Sequence, residues 1–562
     1  MKMLKNVTKA AAAAACITTM LASSCWADHG YKHFLDRARS HGFKNVIVMI
    51  PDGCDETVQT AARWYKGEDL QVDKMANAAV EIHMANSVIT GSAAAATAFA
   101  TGHKTTVRFL GVGPSVDEYT NLDGFEPNAE PYAPVASILE AAKLKGMATG
   151  IAVTSRVTHA TPAAFACHIQ DRGWDNDIME QMVYENIDVV FGGGARHLIP
   201  KGESYVTTFG DTWDGKRTDG EDLLEILLDR GYTFVDNRND MLALNEGPVW
   251  GLFDDSHMQP DMDRIHFARH EPSLAEMVEK AIDILSQDED GFFLMVEGSQ
   301  VDWAGHNNDP IYMIKDFIAF DDAVKAACDF AETDGNTLVL AFPDHNTGGM
   351  KIGHYYTETP YTNTKISDLV DPLMGMTMTA NGVIAKAVDP SNDMYLKETL
   401  LDNWGIDATD DDIAEIRALE PSLGLSYALA RVISKNHTVF GWTTHGHNGE
   451  TVPVWVYGAD APIGTIDNTD LARIAAKAMN TNLDVVTNHL YTDLDSLAHD
   501  YAIVDDGAGN LVVHVNGAEL PINKDYMNYD GREIKLPGLT VYAPATGKVY
   551  ISKKALWILR LL

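Results

Sequence analysis

The sequence predicts an α/β fold in which helices flank a central, mostly parallel β-sheet. Two observations lead to this prediction. Short apolar runs, typical of buried strands, alternate along the chain with longer segments of helical periodicity. The chemically reactive polar residues follow these apolar runs, as they do where ligands bind at the carboxyl ends of parallel strands. At 562 residues the chain is long enough to carry additions to such a domain.

The first elements are predicted from short apolar runs and the turn residues after them. Residues 45–50 (NVIVMI) form a buried strand that ends in Pro-Asp-Gly. A helix is predicted over 135–145 and a strand over 148–153. The next strand, 187–191, leads into three consecutive glycines. These elements already alternate as an α/β fold requires.

The second half of the predicted domain begins with a strongly marked helix. Ser273 and Glu276 form a capping box, and the apolar residues of 274–285 fall on one stripe. The pattern then predicts a strand at 292–296, a helix to about residue 331 and a strand at 337–342. A last strand is predicted further along the chain, at 452–457.

Two regions do not follow this alternation. Residues 349–440 are rich in Thr, Asn, Asp and Met, with one helical patch near 413–418, and are predicted to be an insertion. After about residue 485 the sequence alternates polar and apolar residues between glycine-rich turns, without a helical period, which predicts a small β-rich region over 485–562. The main domain would then comprise 28–348 and 441–484.

The first 27 residues have the features of a secretory signal peptide. Lys2, Lys5 and Lys9 precede a short apolar run, and small residues lead to a cleavage site after Ala27. We therefore expect a periplasmic or secreted protein. A second interpretation makes Cys25 a lipid attachment site. The apolar run is too short to span a bilayer, and no other stretch of the sequence is long enough.

Charge and cysteine content exclude several classes of protein. The formal net charge is -37, from 80 acidic and 43 basic residues, which argues against a specific nucleic-acid partner or an anionic membrane. After signal cleavage Cys54, Cys167 and Cys328 remain, too few for a disulfide framework in a chain of this size. The fold must depend on burial, with help from bound metals.

Carboxylates and imidazoles are concentrated where the predicted strands end. Asp52 follows the first strand. Three residues (Glu297, Asp302 and His306) follow the strand at 292–296, and the pair Asp344-His345 follows the strand at 337–342. The full set is Asp52, Glu297, Asp302, His306, Asp344, His345 and His447. Imidazole is a good zinc ligand, whereas sites built only of oxygen atoms suit magnesium. Taken together, these residues predict a site for divalent cations.

Ser92 is a candidate nucleophile. It stands where a loop enters the alanine-rich run SAAAATAFAT, which favours a helix. The start of a helix offers free N–H groups and a positive dipole end, both of which favour phosphate. The alternative is that Ser92 is an ordinary N-cap.

Six motifs together resemble the alkaline phosphatase family. In chain order they are VMIPDG, TGSAAAATAFATG, VTSRVTHATPAA, MVEGSQVDWAGH, FPDH and WTTHGHNGETVPV. The resemblance covers about residues 45–479. It implies a secreted enzyme that hydrolyses phosphate monoesters through a phosphoserine at Ser92.

The resemblance also implies three metal ions, two of zinc and one of magnesium. The first zinc would be held by Asp302, His306 and His447, and the second by Asp52, Asp344 and His345. The magnesium would be bound by Asp52, Thr161 and Glu297, with His159 close by. Arg172 matches the arginine that binds two phosphate oxygens. The insertion at 349–440 matches the family's crown, which helps to form a homodimer.

Two features of the motifs depart from the family pattern. The family usually has Asp immediately before the nucleophile, and this chain has Gly91 there. Arg172 is then expected either to be held less firmly or to be held by another acid. His445 adds an imidazole two residues before His447, and the match to the pattern H-x-G-E assigns His447 as the ligand.

Two other functions remain open at this level. A phosphodiesterase or sulfatase of the related superfamily would use the same metal scaffold, although the residues after Ser92 (AAAA) do not match the sulfatase pattern. A non-catalytic periplasmic protein that binds metal or phosphate is the other alternative, suggested by Gly91.

Overall fold

A computed structural model describes residues 42–115, 129–355, 357, 361–497, 500–507 and 509–560. The predicted signal peptide, residues 1–27 with Cys25, lies outside the described residues. No helix within these ranges is both long enough and apolar enough to cross a membrane.

A ten-stranded sheet forms the centre of the molecule, which confirms the predicted α/β fold class. We number its strands β1 (Asn45–Pro51), β2 (Ala76–Glu81), β3 (Ala148–Arg156), β4 (Val189–Gly193), β5 (Thr233–Val235), β6 (Val249–Leu252), β7 (Phe292–Gly298), β8 (Thr337–Ala341), β9 (Val452–Tyr457) and β10 (Thr465–Asp467). Their order across the sheet is β10-β2-β9-β8-β1-β7-β3-β4-β6-β5. Every neighbouring pair is parallel except the two that involve β9, which is antiparallel to β8 and to β2.

The central strand β1 shows why the apolar runs form the middle of this sheet. All seven of its residues are buried. Because side chains alternate between the faces of a strand, Val46, Val48 and Ile50 contribute to one hydrophobic core. Ile47 and Met49 contribute to the core on the opposite face. A strand covered on both faces needs a continuous apolar sequence, which is what made β1 recognisable.

Helices cover both faces of the sheet. Outside the insertion and the C-terminal region they are Glu56–Lys66, Ser92–Thr101, Ile138–Leu144, Ala160–Ala163, Asp175–Tyr184, Leu223–Asp229, Arg238–Ala243, Asp261–Phe267, Leu274–Leu285, Gln300–Asn307, Pro310–Asp334 and Asn468–Ala478. The helix predicted over 274–285 has those bounds, with the predicted capping box between Ser273 and Glu276. The helix predicted from residue 135 begins at Ile138, because Ser137 and Glu140 form its capping box.

The predicted insertion leaves and rejoins the main domain through a short antiparallel ladder between Met350–Ile352 and Phe440–Trp442. Its described part contains five α-helices: Ile366–Met374, Ala380–Lys386, Asp393–Trp404, Asp410–Leu423 and Leu425–His437. Only the fourth was predicted. Pro372 lies inside the first of these helices and weakens its helical pattern in the sequence, whereas Pro421 lies near the end of the fourth, which was recognised from its earlier residues.

The C-terminal region contains a five-stranded antiparallel sheet made of Tyr501–Asp505, Leu511–Val515, Ala518–Pro521, Tyr526–Tyr529 and Arg532–Lys535. A smaller sheet joins Thr492–Asp493, Lys548–Ile551 and Val541–Ala543. The region is β-rich as predicted, but it also contains two short helices that the sequence did not reveal. Leu483–Leu490 and Lys553–Ile558 are helical, and the first spans the boundary that we predicted. With only eight and six residues, they are too short to show a clear period.

A buried polar cluster joins this C-terminal region to the main domain. The Tyr491 hydroxyl donates a hydrogen bond to Glu140 and lies 2.6 Å from Nε2 of His168. His168 Nε2 is also 3.2 Å from Oε1 of Glu140, and Nδ1 is 2.7 Å from the carbonyl of Gly111. All of these side chains are buried, so the His168–Glu140 pair is an ion pair inside the protein.

The pKa values of this pair move in opposite directions. Burial alone would lower the pKa of His168, but the Glu140 carboxylate outweighs burial and raises it above 6.5. Burial alone would raise the pKa of Glu140, but the His168 charge and the hydrogen bonds hold it below 4.5. The His168 contribution to stability is therefore complete below pH 6.5 and is lost as the pH rises through its raised pKa. The Glu140 contribution is present above pH 4.5 and is lost as the pH falls through its lowered pKa.

We predict that His168→Gln destabilises the protein more at pH 6 than at pH 9. At pH 6 the substitution leaves a buried carboxylate without its cation, which costs about 3 kcal/mol. Urea unfolding followed by tryptophan fluorescence at the two pH values measures the difference. The double variant with Glu140→Gln is the control, because it removes both charges and should recover part of the loss at pH 6. An equal loss at both pH values would contradict the assignment of a charged pair.

Candidate metal centre

The chemically reactive residues converge at one edge of the sheet. Asp52 directly follows β1, Glu297 lies near the end of β7, and Asp344 lies three residues after β8. These three strands are parallel neighbours, so their carboxyl ends meet at the same edge. His447 precedes β9, whose direction is reversed, and this brings the amino end of β9 to that edge as well.

A short antiparallel pair brings the last histidine against the Asp344-His345 turn. Asn346–Thr347 pairs with His447–Asn448, with Thr347 opposite His447. The imidazole rings of His345 and His447 stack with centroids 3.7 Å apart and an interplanar angle of 27°. Two residues that are about a hundred positions apart in the sequence are thereby held in contact.

The turn after β1 depends on Gly53. Its φ of +76° is in the left-handed region, and its N–H donates a hydrogen bond of 3.1 Å to Oδ1 of Asp344. A Cβ at this position would lie 2.7 Å from Cα of Asp302 and 2.8 Å from Oγ1 of Thr347. Glycine therefore allows the β1 turn to approach the helix and the loop that carry the other acidic residues.

The structure brings the predicted ligands together in three groups. Within each group, one ligand atom per residue lies within 4.8 Å of the others. The groups are Asp302, His306 and His447; Asp52, Asp344 and His345; and Asp52, His159 and Glu297. The first two are the sets that the family resemblance implied for zinc, and the third joins two of the implied magnesium ligands, Asp52 and Glu297, to His159, which the resemblance placed close by.

Hydrogen bonds fix the orientation of the first group. Nδ1 of His306 donates to the carbonyl of His445 at 2.6 Å, and Nδ1 of His447 donates to the carbonyl of Thr90 at 2.8 Å. A carbonyl only accepts, so Nδ1 carries the proton and Nε2 is left as the ligand atom on both rings. The two Nε2 atoms lie 3.5 and 3.8 Å from carboxylate oxygens of Asp302.

The structure brings His447, and not His445, into the group. The His445 backbone holds the ring of His306, while its side chain is exposed. This agrees with the position selected by the H-x-G-E pattern.

Two threonines that the sequence interpretation missed support the site. Oγ1 of Thr347 donates to Oδ1 of Asp302 at 2.6 Å and lies 3.2 Å from Nδ1 of His345. Thr90 acts through its carbonyl, to which His447 is bonded. The position of Thr347, two residues after the Asp-His pair that follows β8, is a signal that could have identified it. The contact of Thr90 could not have been predicted, because it uses the backbone carbonyl that every residue type has.

Several buried polar atoms at this centre have no hydrogen-bond partner among the described residues. They are both carboxylate oxygens of Asp52, Oδ2 of Asp344, Oε1 of Glu297, Nδ1 of His159 and Oγ1 of Thr161. Unpartnered buried polar groups are costly, and four of these six atoms belong to carboxylates. Divalent cations would satisfy the four carboxylate oxygens and the Thr161 hydroxyl oxygen, so the residues present fit a group of metal ions.

The pKa values of the acids and of His345 are shifted by burial and by the charged groups packed around them. Burial, followed by the charges of Asp344 and Asp302, raises the pKa of Asp52 well above its ordinary value. Burial raises the pKa of Asp344 to about 7. Burial and the neighbouring imidazoles lower the pKa of His345 well below 6.5, so its ring is neutral, as a metal ligand must be.

Ser92 lies beside this centre at the start of the helix Ser92–Thr101. Its Oγ is 3.2 Å from Nε2 of His345. Gly91 occupies the N-cap position and the cap makes no side-chain hydrogen bond, so Ser92 is the first helical residue and not an N-cap. The Ser92 hydroxyl therefore does not cap the helix. The N–H groups of the first helical turn have no partner within the helix.

Arg172 reaches the same region without an acidic partner. Its Nη2 lies 2.8 Å from Nε2 of His159. In the part of the chain that is described, Arg172 forms no ion pair, and the adjacent Asp171 instead binds Arg108, with Nε and Oδ1 3.1 Å apart. The expectation that another acid replaces the one missing at Gly91 is therefore not met among these residues.

Comparisons with known proteins agree on one family. The family model described as alkaline phosphatase matches residues 43–481. Alkaline phosphatase 3 of Bacillus subtilis is 34% identical over 79% of this chain and 90% of its own length. The structure of Thermus thermophilus alkaline phosphatase superposes with a TM-score of 0.67 at 26% identity, over 79% of this chain and 92% of that one. A mutant of TAB5 alkaline phosphatase with Mg bound in its M3 site gives a TM-score of 0.55 at 25% identity, over 79% and 99% of the two chains.

We predict that Gly53→Ala lowers both the thermal unfolding midpoint and the amount of bound divalent metal. The added methyl group forces the β1 turn away from Asp302 and Thr347, at a cost of about 1–3 kcal/mol beyond the backbone strain. Differential scanning fluorimetry and elemental analysis measure the two effects.

Gly67→Ala is the matched control for this prediction. Gly67 has nearly the same φ, +75°, but a Cβ there meets nothing within 4 Å. This variant should show the strain alone, about 1 kcal/mol, with normal metal content. Equal midpoints and equal metal content in the two variants would show that close packing at Gly53 does not matter.

Proposed function

This chain belongs to the alkaline phosphatase family of phosphoric monoester hydrolases, and on that premise we propose that it acts through a phosphoserine at Ser92 with two zinc ions and one magnesium ion. One observation carries the proposal. The Ser92 hydroxyl lies 3.2 Å from His345, beside three groups of ligand atoms whose buried carboxylate oxygens lack partners. A nucleophile and a set of cation ligands are thus adjacent in one site.

We assign the ions to the three groups by ligand type. The two groups that contain an Asp and at least one imidazole with a free Nε2 suit zinc: Asp302, His306 and His447, and Asp52, Asp344 and His345. The oxygen-rich set of Asp52, Glu297 and Thr161, with His159 near it, suits magnesium. The Mg bound in the M3 site of a TAB5 alkaline phosphatase mutant supports a magnesium ion in this family.

When bound, the zinc ions would act as Lewis acids that lower the pKa of a nearby hydroxyl and stabilise the oxygen that leaves. The chain supplies the rest. The Ser92 oxygen attacks phosphorus and the bond to the ester oxygen breaks, so that the alcohol leaves with a proton. Water then attacks the phosphoserine, which yields inorganic phosphate and restores the Ser92 hydroxyl.

Two groups of the chain would hold the phosphate during these steps. The Arg172 guanidinium can donate parallel hydrogen bonds to two phosphate oxygens, and the unpaired N–H groups of the first helical turn add a positive dipole end. With no acidic partner among the described residues, Arg172 keeps its charge for the substrate. The four carboxylates would themselves repel phosphate, but three divalent cations more than compensate for them.

We predict that Ser92→Ala lowers the turnover of an aryl phosphate by about 10³-fold or more, while metal content stays near normal, because no other atom replaces the nucleophile. Colorimetric release of the phenol together with elemental analysis gives both readouts. Ser87→Ala is the control, since Ser87 lies in the loop that leads to Ser92 and, among the described residues, its hydroxyl accepts a hydrogen bond only from the N–H of Ile89. Wild-type turnover by the Ser92 variant would remove Ser92 as the nucleophile.

We also predict that exhaustive chelation abolishes turnover and lowers the thermal midpoint, and that zinc is needed to restore both. Without cations, four buried carboxylates repel one another at close quarters. The Ser92→Ala protein keeps all of the proposed ligands, so its midpoint should fall by the same amount on chelation. Activity that survives complete metal removal would refute the metal assignment.

We further propose that the protein is exported and forms a homodimer. Export rests on the sequence of residues 1–27. The dimer is supported by large apolar side chains exposed on the insertion, which a second copy could cover: Tyr361, Ile366, Met374, Val388, Met394 and Leu401.

A further inference from the structure

The loop that carries Arg172, residues 167–174, lacks the acid that the family pattern places before the nucleophile. Position 91 is a glycine, and Arg172 forms no ion pair within the described ranges. The hydrogen bond of its guanidinium in this part of the chain joins Nη2 to Nε2 of His159, at 2.8 Å. The place of the guanidinium therefore depends on how firmly the main chain of this loop, here called the Arg172 loop, is held.

Main-chain hydrogen bonds to a neighbouring segment hold part of the Arg172 loop. Ile169 and Leu110 exchange two N–H to carbonyl bonds of 2.8 Å. The N–H of Arg172 donates to the carbonyl of Arg108 at 2.9 Å. These bonds fix the backbone of the loop at two points and leave its other residues to be held from elsewhere.

The C-terminal region supplies a second set of contacts to the Arg172 loop. The Tyr491 hydroxyl lies 2.6 Å from Nε2 of His168, and the N–H of Ala545 donates to Oε1 of Gln170 at 3.2 Å. His168 and Gln170 precede Arg172 by four and two residues. Both contacts are therefore made close to the arginine along the chain.

The helix that follows the loop, Asp175–Tyr184, is bound to the same region. Oδ1 of Asn523 accepts a hydrogen bond of 2.9 Å from Nε2 of Gln181, and Oε1 of Gln181 accepts one of 2.8 Å from the N–H of His168. Nδ2 of Asn523 also donates to Oε2 of Glu180 at 2.9 Å. The C-terminal region thus holds the loop directly, and also indirectly through this helix.

Packing between the Arg172 loop and the C-terminal region is incomplete. A cavity of about 460 Å³ separates parts of the two. Its walls include His168, Gln170 and Trp174 on one side and Asn523, Tyr542 and Pro544 on the other. Where apolar packing is sparse, a segment opens at a lower cost in free energy, so the hydrogen bonds beside the cavity have a larger share in holding the loop.

We propose that the C-terminal region positions Arg172 for phosphate, and that Tyr491 is a positioning residue in this role. The proposal rests on the proposed function, in which the Arg172 guanidinium binds the phosphate. Tyr491, Asn523 and Ala545 all lie beyond residue 481, where the match to the family ends. A part of the chain outside that match therefore supplies support that the glycine at position 91 cannot.

Tyr491→Phe tests the proposal, because it removes the hydroxyl and keeps the ring. The inhibition constant for inorganic phosphate and the KM for an aryl phosphate should both rise by about fivefold, the effect expected of one lost hydrogen bond. The kcat should change by less than about twofold, since a guanidinium that binds ground state and transition state alike affects mainly KM. Competitive inhibition of aryl phosphate hydrolysis measures these constants.

The same substitution in an Arg172→Ala background separates positioning from a general structural effect. With the arginine gone, Tyr491→Phe should change the inhibition constant for phosphate by less than about twofold. A full fivefold effect in that background would overturn the proposal. Should Tyr491→Phe fail to fold, Gln170→Met takes its place in the cycle, since it removes the acceptor of the Ala545 N–H. The same rise is then expected, and no rise would contradict the proposal.

Two control variants match the change and its structural cost. Tyr542→Phe removes a hydroxyl beside the same cavity that has no hydrogen bond to the Arg172 loop among the described residues. Arg230→Gln breaks another link to the C-terminal region, the ion pair with Asp525 at 2.8 Å. Both should leave the inhibition constant unchanged, although Arg230→Gln should lower the thermal midpoint. If Arg230→Gln weakens phosphate binding as much as Tyr491→Phe does, the proposal is wrong.

The single variants also distinguish this proposal from the proposed function. If Arg172→Ala alone leaves the inhibition constant for phosphate unchanged, the role assigned to Arg172 is wrong and the positioning proposal fails with it. If Arg172→Ala weakens phosphate binding and Tyr491→Phe does not, the positioning proposal alone is wrong.

Discussion

The concentration of unpartnered carboxylates at one edge of the sheet is the constraint on which the rest of the structure depends. Asp52, Glu297 and Asp344 are almost completely buried, and the oxygens named above find no donor in the described chain. Burying such a group of acids costs free energy unless bound cations offset the loss of hydration. The surrounding features serve this concentration of acids: a glycine turn permits close approach, and two backbone carbonyls fix His306 and His447 with Nε2 towards the centre.

Much of this arrangement could be predicted from the sequence, for a physical reason. Strands buried on both faces are continuous apolar runs, so β1, β7 and β8 were recognised and the acids after them were expected at one edge. His447 was placed at that edge by its motif, and the reversed strand β9 explains why a residue before a strand belongs there. The outer strand β2 was missed because most of its residues are exposed or half-buried.

What the sequence could not predict are contacts made by the main chain and by short elements. Thr90 acts through its carbonyl, which every residue type possesses. The helix Leu483–Leu490 has buried positions at Leu483, Val486 and Leu490, a helical spacing, but eight residues are too few to separate this from chance. The insertion helix Ile366–Met374, which contains Pro372, was missed for a related reason, since local propensity there opposes the helix that tertiary packing imposes.

Net charge is a poor guide to what this protein binds, because the charges are distributed unevenly. A chain with a net charge of -37 should repel a dianion at long range, yet salt screens that repulsion beyond about 10 Å. At the site itself, Arg172 forms no ion pair among the described residues, so its charge is not cancelled by a bound carboxylate. If position 91 carried the Asp that the family resemblance implies beside this arginine, that acid would take part of the Arg172 charge. Under the proposed function, the site gains attraction for phosphate from the same feature that leaves the guanidinium less firmly held.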